Sequence, residues 1–166
     1  MIEYLKRYWF AKVVCRKYKI IFVPDSMVGK SCASYTIQWE GKAHIYVPLD
    51  YKNFYEAFFH ELGHILDYRR NYGCTKGRYE RYEGAKLGRG SINVATQTEK
   101  PCKGLWLQDY GALLVNEAVA SRYAIKALKA TNKLRSDSVS SLLKGYESYL
   151  RHIDQRYIAH YHTKIV

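Results

Sequence analysis

Two histidines four residues apart, in the run His60-Glu61-Leu62-Gly63-His64, constrain this chain more than any other feature. On a helix, positions i and i+4 share one face and lie one turn apart. The surrounding residues favour a helix. Phe54, Phe58, Leu62, Ile65 and Leu66 recur at the spacing of a buried helical face, and Asn53 or Asp50 is placed to cap its start. Gly63 is the anomaly, because mid-helix it costs about 1 kcal/mol against Ala. A small residue between the histidines makes sense where another backbone packs closely.

The spacing lets both imidazoles reach one Zn²⁺ at about 2.0–2.1 Å. Glu61, beside the first histidine, is placed to take a proton from a zinc-activated water. A catalytic zinc needs a third protein ligand and an open position. A downstream histidine of the HExxHxxGxxH kind is absent, since the next positions of that pattern hold Asp67 and Arg70. Glu117 is the expected third ligand. Ala120, Ser121 and Ala124 share its helical face, and small residues there allow close approach to the histidine helix. Asp109, Glu83, Glu80 and Asp67 remain alternatives, and Asp67 also suits a carboxylate that orients a histidine. Tyr110, Tyr123 and His152 are the candidates for stabilising an oxyanion. His160 and His162 fall in what reads as a solvated tail.

Composition bounds the rest. A chain of 166 residues is read as a single domain, 1–166, large enough for a real core. The formal net charge of +12 favours acidic partners: nucleic acid, an anionic surface or an acidic protein. Cys15, Cys32, Cys74 and Cys102 form no CxxC pair. With no apolar leader and no membrane span in the sequence, the expectation is a cytoplasmic protein with free thiols.

The pattern along the chain predicts an α+β fold. A helix is expected over 2–18, with a strand over Lys19–Val23 stopped by Pro24 and Asp25. Ala33–Trp39 and Ala43–Val47 read as a hairpin turning at Glu40-Gly41-Lys42, so a small antiparallel sheet precedes the histidine helix. Its edge strand, beside a metal cleft, suits pairing with an extended peptide. Residues 73–109 read as an irregular basic insertion rich in glycine. Helices are then expected from about Tyr110 to Lys129 and from about Val139 to His160, the second capped by Ser136-Asp137-Ser138.

The His60–His64 motif, the preceding hairpin and the Asn116–Ala124 helix together resemble the zincin metallopeptidases of the gluzincin type. The order of elements is most similar to the small ImmA/IrrE-type peptidases of bacteria, phages and mobile elements. That resemblance implies zinc ligands at His60, His64 and Glu117, with Glu61 as catalytic base. It also implies a zincin-like domain and a cytoplasmic zinc-dependent endopeptidase, a hydrolase acting on a protein substrate. The alternative is a catalytically inactive zincin scaffold that holds nucleic acid or an acidic protein through its basic surface.

Overall fold

The computed structural model describes residues 1–25, 33–37, 42–71, 103–148 and 151, with side chains outside the description at 71 and 103–114. Helix α1 (Ile2–Lys17) leads into strand β1 (Ile21–Val23). Strands β2 (Ser34–Ile37) and β3 (Ala43–Tyr46) follow, then helix α2 (Phe54–Asn71) and helix α3 (Lys103–Ala130). A fourth helix, α4, covers 138–148. The α+β class expected from the sequence is therefore present.

The sheet is small and mixed. Its order is β1-β3-β2. β2 and β3 pair antiparallel, from Ser34 opposite Tyr46 to Ile37 opposite Ala43, which is the expected hairpin. The turn expected at 40–42 falls largely outside the described residues. β1 joins β3 in parallel, with Phe22 opposite Ile45. A wholly antiparallel sheet is thus corrected. The residues of β1 carry the right β-branched and apolar character, but strand direction depends on how the intervening chain returns, which local pattern does not encode.

The core lies between this sheet and α2. Phe22, Ile45 and Val47 from the sheet meet Phe54, Phe58, Leu62 and Ile65 from α2, all buried. The aromatic rings interlock edge to face: Phe22 on Phe58 at 6.0 Å and Phe10 of α1 on Phe59 at 5.7 Å between centroids. Such offset contacts favour one arrangement beyond the area they bury. Cys15 lies in this core as a free thiol, and burial pushes its pKa up to about 12. Cys32, Cys74 and Cys102 lie outside the described residues.

Two helices end in the same way. Lys19 and Asn132 take left-handed backbone angles, with φ of 54° and 53°. Ile20 N–H then donates to Cys15 O at 2.9 Å, and Lys133 N–H to Leu128 O at 2.8 Å. This is the Schellman termination, which satisfies carbonyls left open by the last turn. Asn tolerates that conformation better than Lys does. At Lys19 the turn has outside support, because the Arg69 guanidinium at the end of α2 donates to the carbonyls of Tyr18 and Lys19. Arg7 likewise ties α1 to the β3–α2 connection, donating to Leu49 O at 2.8 Å and Tyr51 O at 3.0 Å.

Helix α3 begins at Lys103, seven residues before the expected start at Tyr110, so the end of the 73–109 segment is helical. The remainder of that segment lies outside the described residues. α3 packs along α2, and the contact centres on Gly63. A Cβ built on Gly63 would lie 2.9 Å from both Cα and O of Ala120, and 3.2 Å from Cβ of Tyr123. The two helix backbones therefore touch where the sequence carries glycine on one side and alanine on the other.

This contact sets two effects against each other in Gly63→Ala. Helix propensity alone gains about 1 kcal/mol. The clash is with backbone, which cannot rotate away, and overpacking of this kind costs about 1–3 kcal/mol or more. The expected outcome is a net loss of stability in urea denaturation. A more stable variant would show that α2 and α3 are not in backbone contact.

Candidate metal centre

Helix α2 presents His60 and His64 one turn apart on the side facing α3, as the i, i+4 spacing requires. Glu117 projects from α3 opposite them and is buried, as is His64. His60 Nε2 stands 3.0 Å from Glu117 Oε2 and 3.1 Å from His64 Nε2. Glu117 Oε1 stands 3.5 Å from His64 Nε2. Three ligands at about 2.0–2.1 Å from a tetrahedral ion are separated by about 3.3 Å along each edge. The observed separations, taken to the two different oxygens of Glu117, lie near that value, and one ligand atom from each side chain stands within 4.8 Å of the others, close enough to hold a metal ion. Among the described residues they form the one group of this kind.

The histidine rings are oriented from outside the ligand set. Ser121 Oγ lies 3.3 Å from His60 Nδ1. With the hydroxyl oxygen accepting the Nδ1 proton, Nε2 is left facing the centre, the arrangement in which an outer partner fixes the tautomer of a ligand. Ser121 follows Glu117 by one turn, so α3 supplies both a ligand and the group that turns the opposing ligand. His64 is stacked on Tyr35 of β2, with centroids 4.8 Å apart and planes at 19°. The two imidazoles meet edge to face at 4.7 Å.

The electrostatics follow from burial and mutual contact. Burial works against ionised Glu117, but hydrogen bonds from His60 and His64 and the fields of both rings outweigh it. Its carboxyl is held well below the usual carboxylate range. For His60, burial again opposes charge. The Glu117 hydrogen bond and the negative fields of Glu61 and Glu117 overcome it, so its pKa is raised. Both shifts favour the imidazolium–carboxylate form of the metal-free cluster, so a cation would compete with a proton on His60.

The cluster lies in a cavity of about 1070 Å³, which Glu61 also lines. Ser34 and Tyr35 of the edge strand β2 form one wall, and Ser141, Leu142, Lys144 and Tyr146 of α4 belong to another. A buried polar latch holds α4 in place. Glu56, one turn before His60, accepts from Arg135 Nη2 at 2.8 Å and from Ser138 Oγ at 2.6 Å. Asn53 accepts from Arg135 at 3.1 Å and donates to Ser141 Oγ at 2.7 Å. Asn53 does stand at the start of α2, its carbonyl accepting from Ala57 N–H at 3.0 Å. Its side chain, however, ties α2 to α4. Ser138, expected as a cap, is spent on Glu56 in the same way.

Among the expected oxyanion donors, Tyr123 faces elsewhere. Its Cβ packs toward Gly63, its hydroxyl lies near Tyr18, and it does not line the cavity. Burial, then this Tyr18 contact, raises its pKa. Tyr110 belongs to α3 with its side chain outside the description, and His152 lies outside the described residues. Among the other third-ligand alternatives, Glu80 and Glu83 lie outside the described residues, and the side chain of Asp109 is outside the description. Asp67 is described but is not part of the ligand cluster. Sequence reasoning named Ser121 as a small residue and missed its contact with His60. It missed Tyr35 and the Glu56–Arg135–Ser138 latch altogether. Comparison with family models, with curated proteins and with solved structures finds no match for this chain.

Purified protein loaded with Zn²⁺ is expected to hold one ion per chain by mass spectrometry. His60→Ala and Glu117→Ala should each lose it, while Ser121→Ala should weaken binding about 10–100-fold. Retention in Glu117→Ala would remove that residue from the ligand set.

The pKa directions also fix a pH window for the metal-free protein. Glu117, whose folded pKa is lowered from 4.5, contributes stability above that value and loses it as pH falls. His60, whose folded pKa is raised from 6.5, contributes stability below that value and loses it as pH rises past the folded pKa. Denaturation of the chelated protein should therefore show the pair's contribution greatest between these values. The Glu117→Gln variant should flatten the profile there, and an unchanged profile would contradict the pairing.

Proposed function

We propose that this chain is a zinc-dependent endopeptidase with a zincin-like arrangement of its site. One observation carries the reading. Two histidines and a glutamate stand within 4.8 Å of one another and line a wide cavity, with Glu61 beside them. A purely structural zinc would be closed by a fourth protein ligand. Here the described cluster supplies three, and the cavity gives access to a fourth position. The donor set of imidazoles and carboxylate suits Zn²⁺, whose Lewis acidity would activate a water and polarise a scissile carbonyl.

The remaining work falls to the protein's own groups. Glu61 accepts the proton of the attacking water and returns it to the leaving amine. His60 is held in its productive tautomer by Ser121, and His64 is fixed against Tyr35. β2 is an edge strand of the described sheet and lines the cavity, so an extended substrate can pair with its backbone beside the site. The walls contributed by α4 then meet the substrate side chains.

The net charge of +12 favours a second reading, a binding module that holds an acidic partner and keeps its metal for structure. Glu61→Gln separates the two. As an enzyme, the protein should retain its metal and lose peptide cleavage by about 10²–10⁴-fold, the usual contribution of a general base. Undiminished function in Glu61→Gln would favour the binding module.

A further inference from the structure

Helix α1 carries apolar side chains on two opposite faces. The inner face holds Ala11 and Cys15, both buried, with Tyr8, Phe10 and Val14 packed around them. On the other side Ile2, Leu5, Trp9 and Val13 are 72%, 54%, 61% and 66% exposed. At about 100° per residue, Trp9 lies roughly 160° around the helix from Ala11, and the other three fall within about 40° of Trp9. They form a straight stripe about 16 Å long, at 1.5 Å per residue.

The charges around this stripe are of one sign. Arg16 lies within it, Lys12 flanks one side, and Lys6 and Lys17 flank the other; all four are exposed. The helix's one acidic residue, Glu3, is turned about 120° from Trp9 and pairs with Arg7 at 3.4 Å. A solvated helix face would be polar throughout. A second copy of the chain would bring like charges together, which is unfavourable. The stripe is convex, so it offers no groove to a peptide. An apolar line with tryptophan at its crest and cations along both flanks matches a flat anionic surface.

We propose that α1 is a docking helix for an anionic phospholipid surface. Ile2, Leu5, Trp9 and Val13 enter the headgroup layer, while Lys6, Lys12, Arg16 and Lys17 lie against the phosphates. No residue of α1 lines the cavity around His60, His64 and Glu117, so docking leaves that cavity accessible. Among the described residues no helix is long and apolar enough to cross a membrane, so the association is peripheral and reversible. The inference is independent of the proposed peptidase activity.

The test uses the full chain with Trp39→Phe and Trp106→Phe, so that Trp9 is the sole indole. Its emission is followed on phosphatidylcholine vesicles with and without phosphatidylserine, beside co-sedimentation. A blue shift with phosphatidylserine vesicles, absent without that lipid and weakened by salt, is expected. Lys6→Glu with Lys12→Glu should weaken co-sedimentation by about 25-fold or more, roughly fivefold per lysine. In the chain with its natural tryptophans, Trp9→Ala should weaken it by about tenfold. Lys126→Glu with Lys129→Glu makes the same change of net charge on exposed positions of α3. Equal loss in that control would overturn the proposal in favour of general charge attraction. Failure to bind phosphatidylserine vesicles would overturn it outright, as would tighter binding to polyglutamate with the same Trp9 shift, which would assign the face to an acidic protein. Unchanged thermal melting of each variant excludes misfolding as the cause.

Discussion

Backbone contact between α2 and α3 at Gly63 and Ala120 sets the geometry from which the site follows. Helices whose contact residues carry larger side chains pack with axes about 8–10 Å apart. A glutamate must span that gap to share an ion with histidines on its neighbour. Removing the Cβ at Gly63 lets the second backbone come in, and Glu117 then reaches both imidazoles with its two oxygens. The energetic sense of a helix-weakening glycine lies in this approach. Local propensity is given up so that two polar faces can meet in a buried place.

Burying those faces is itself unfavourable, and the structure answers with mutual satisfaction. Glu117 and His64 are buried, and each would be destabilising alone. Together with His60 they neutralise one another, and Ser121 and Tyr35 complete the shell. The Glu56 latch follows the same logic one turn earlier on α2. A buried carboxylate is tolerable there because Arg135 and Ser138 both donate to it. Breaking such a pair leaves an uncompensated charge, so each cluster is a strong constraint on chain position even where its net contribution to stability is small.

Much of this was legible in the sequence. His60 and His64 declare their shared face through spacing, and Glu117 declares its approach through Ala120, Ser121 and Ala124. What could not be read depends on distant residues. Glu56 looks like an ordinary charge in a first helical turn, and its partners lie 79 and 82 residues away. Tyr123 has the right chemistry for an oxyanion donor, but residue type carries no direction, and its Cβ packs toward Gly63 while the residue stays off the cavity lining. The parallel pairing of β1 depends on the return path of the chain. The early start of α3 was hidden because Gly104 and the apolar Leu105-Trp106-Leu107 break the helical period. Helix α1 carries an inner core face and an outer apolar one, an arrangement that a single periodic apolar stripe does not describe.

The latch at Glu56 and the contact at Gly63 fall on either side of His60, one turn before it and three residues after. The ligand-bearing stretch of α2 is therefore pinned at two points, like a beam resting on two supports. Small structural zinc domains collect their ligands when the ion arrives, and they unfold without it. Here the fold itself brings His60, His64 and Glu117 within 4.8 Å of one another, so an ion would find three candidate ligands already assembled. Loading should then resemble an exchange of a proton for a cation inside a rigid frame, and selection among ions should turn on radius and preferred geometry.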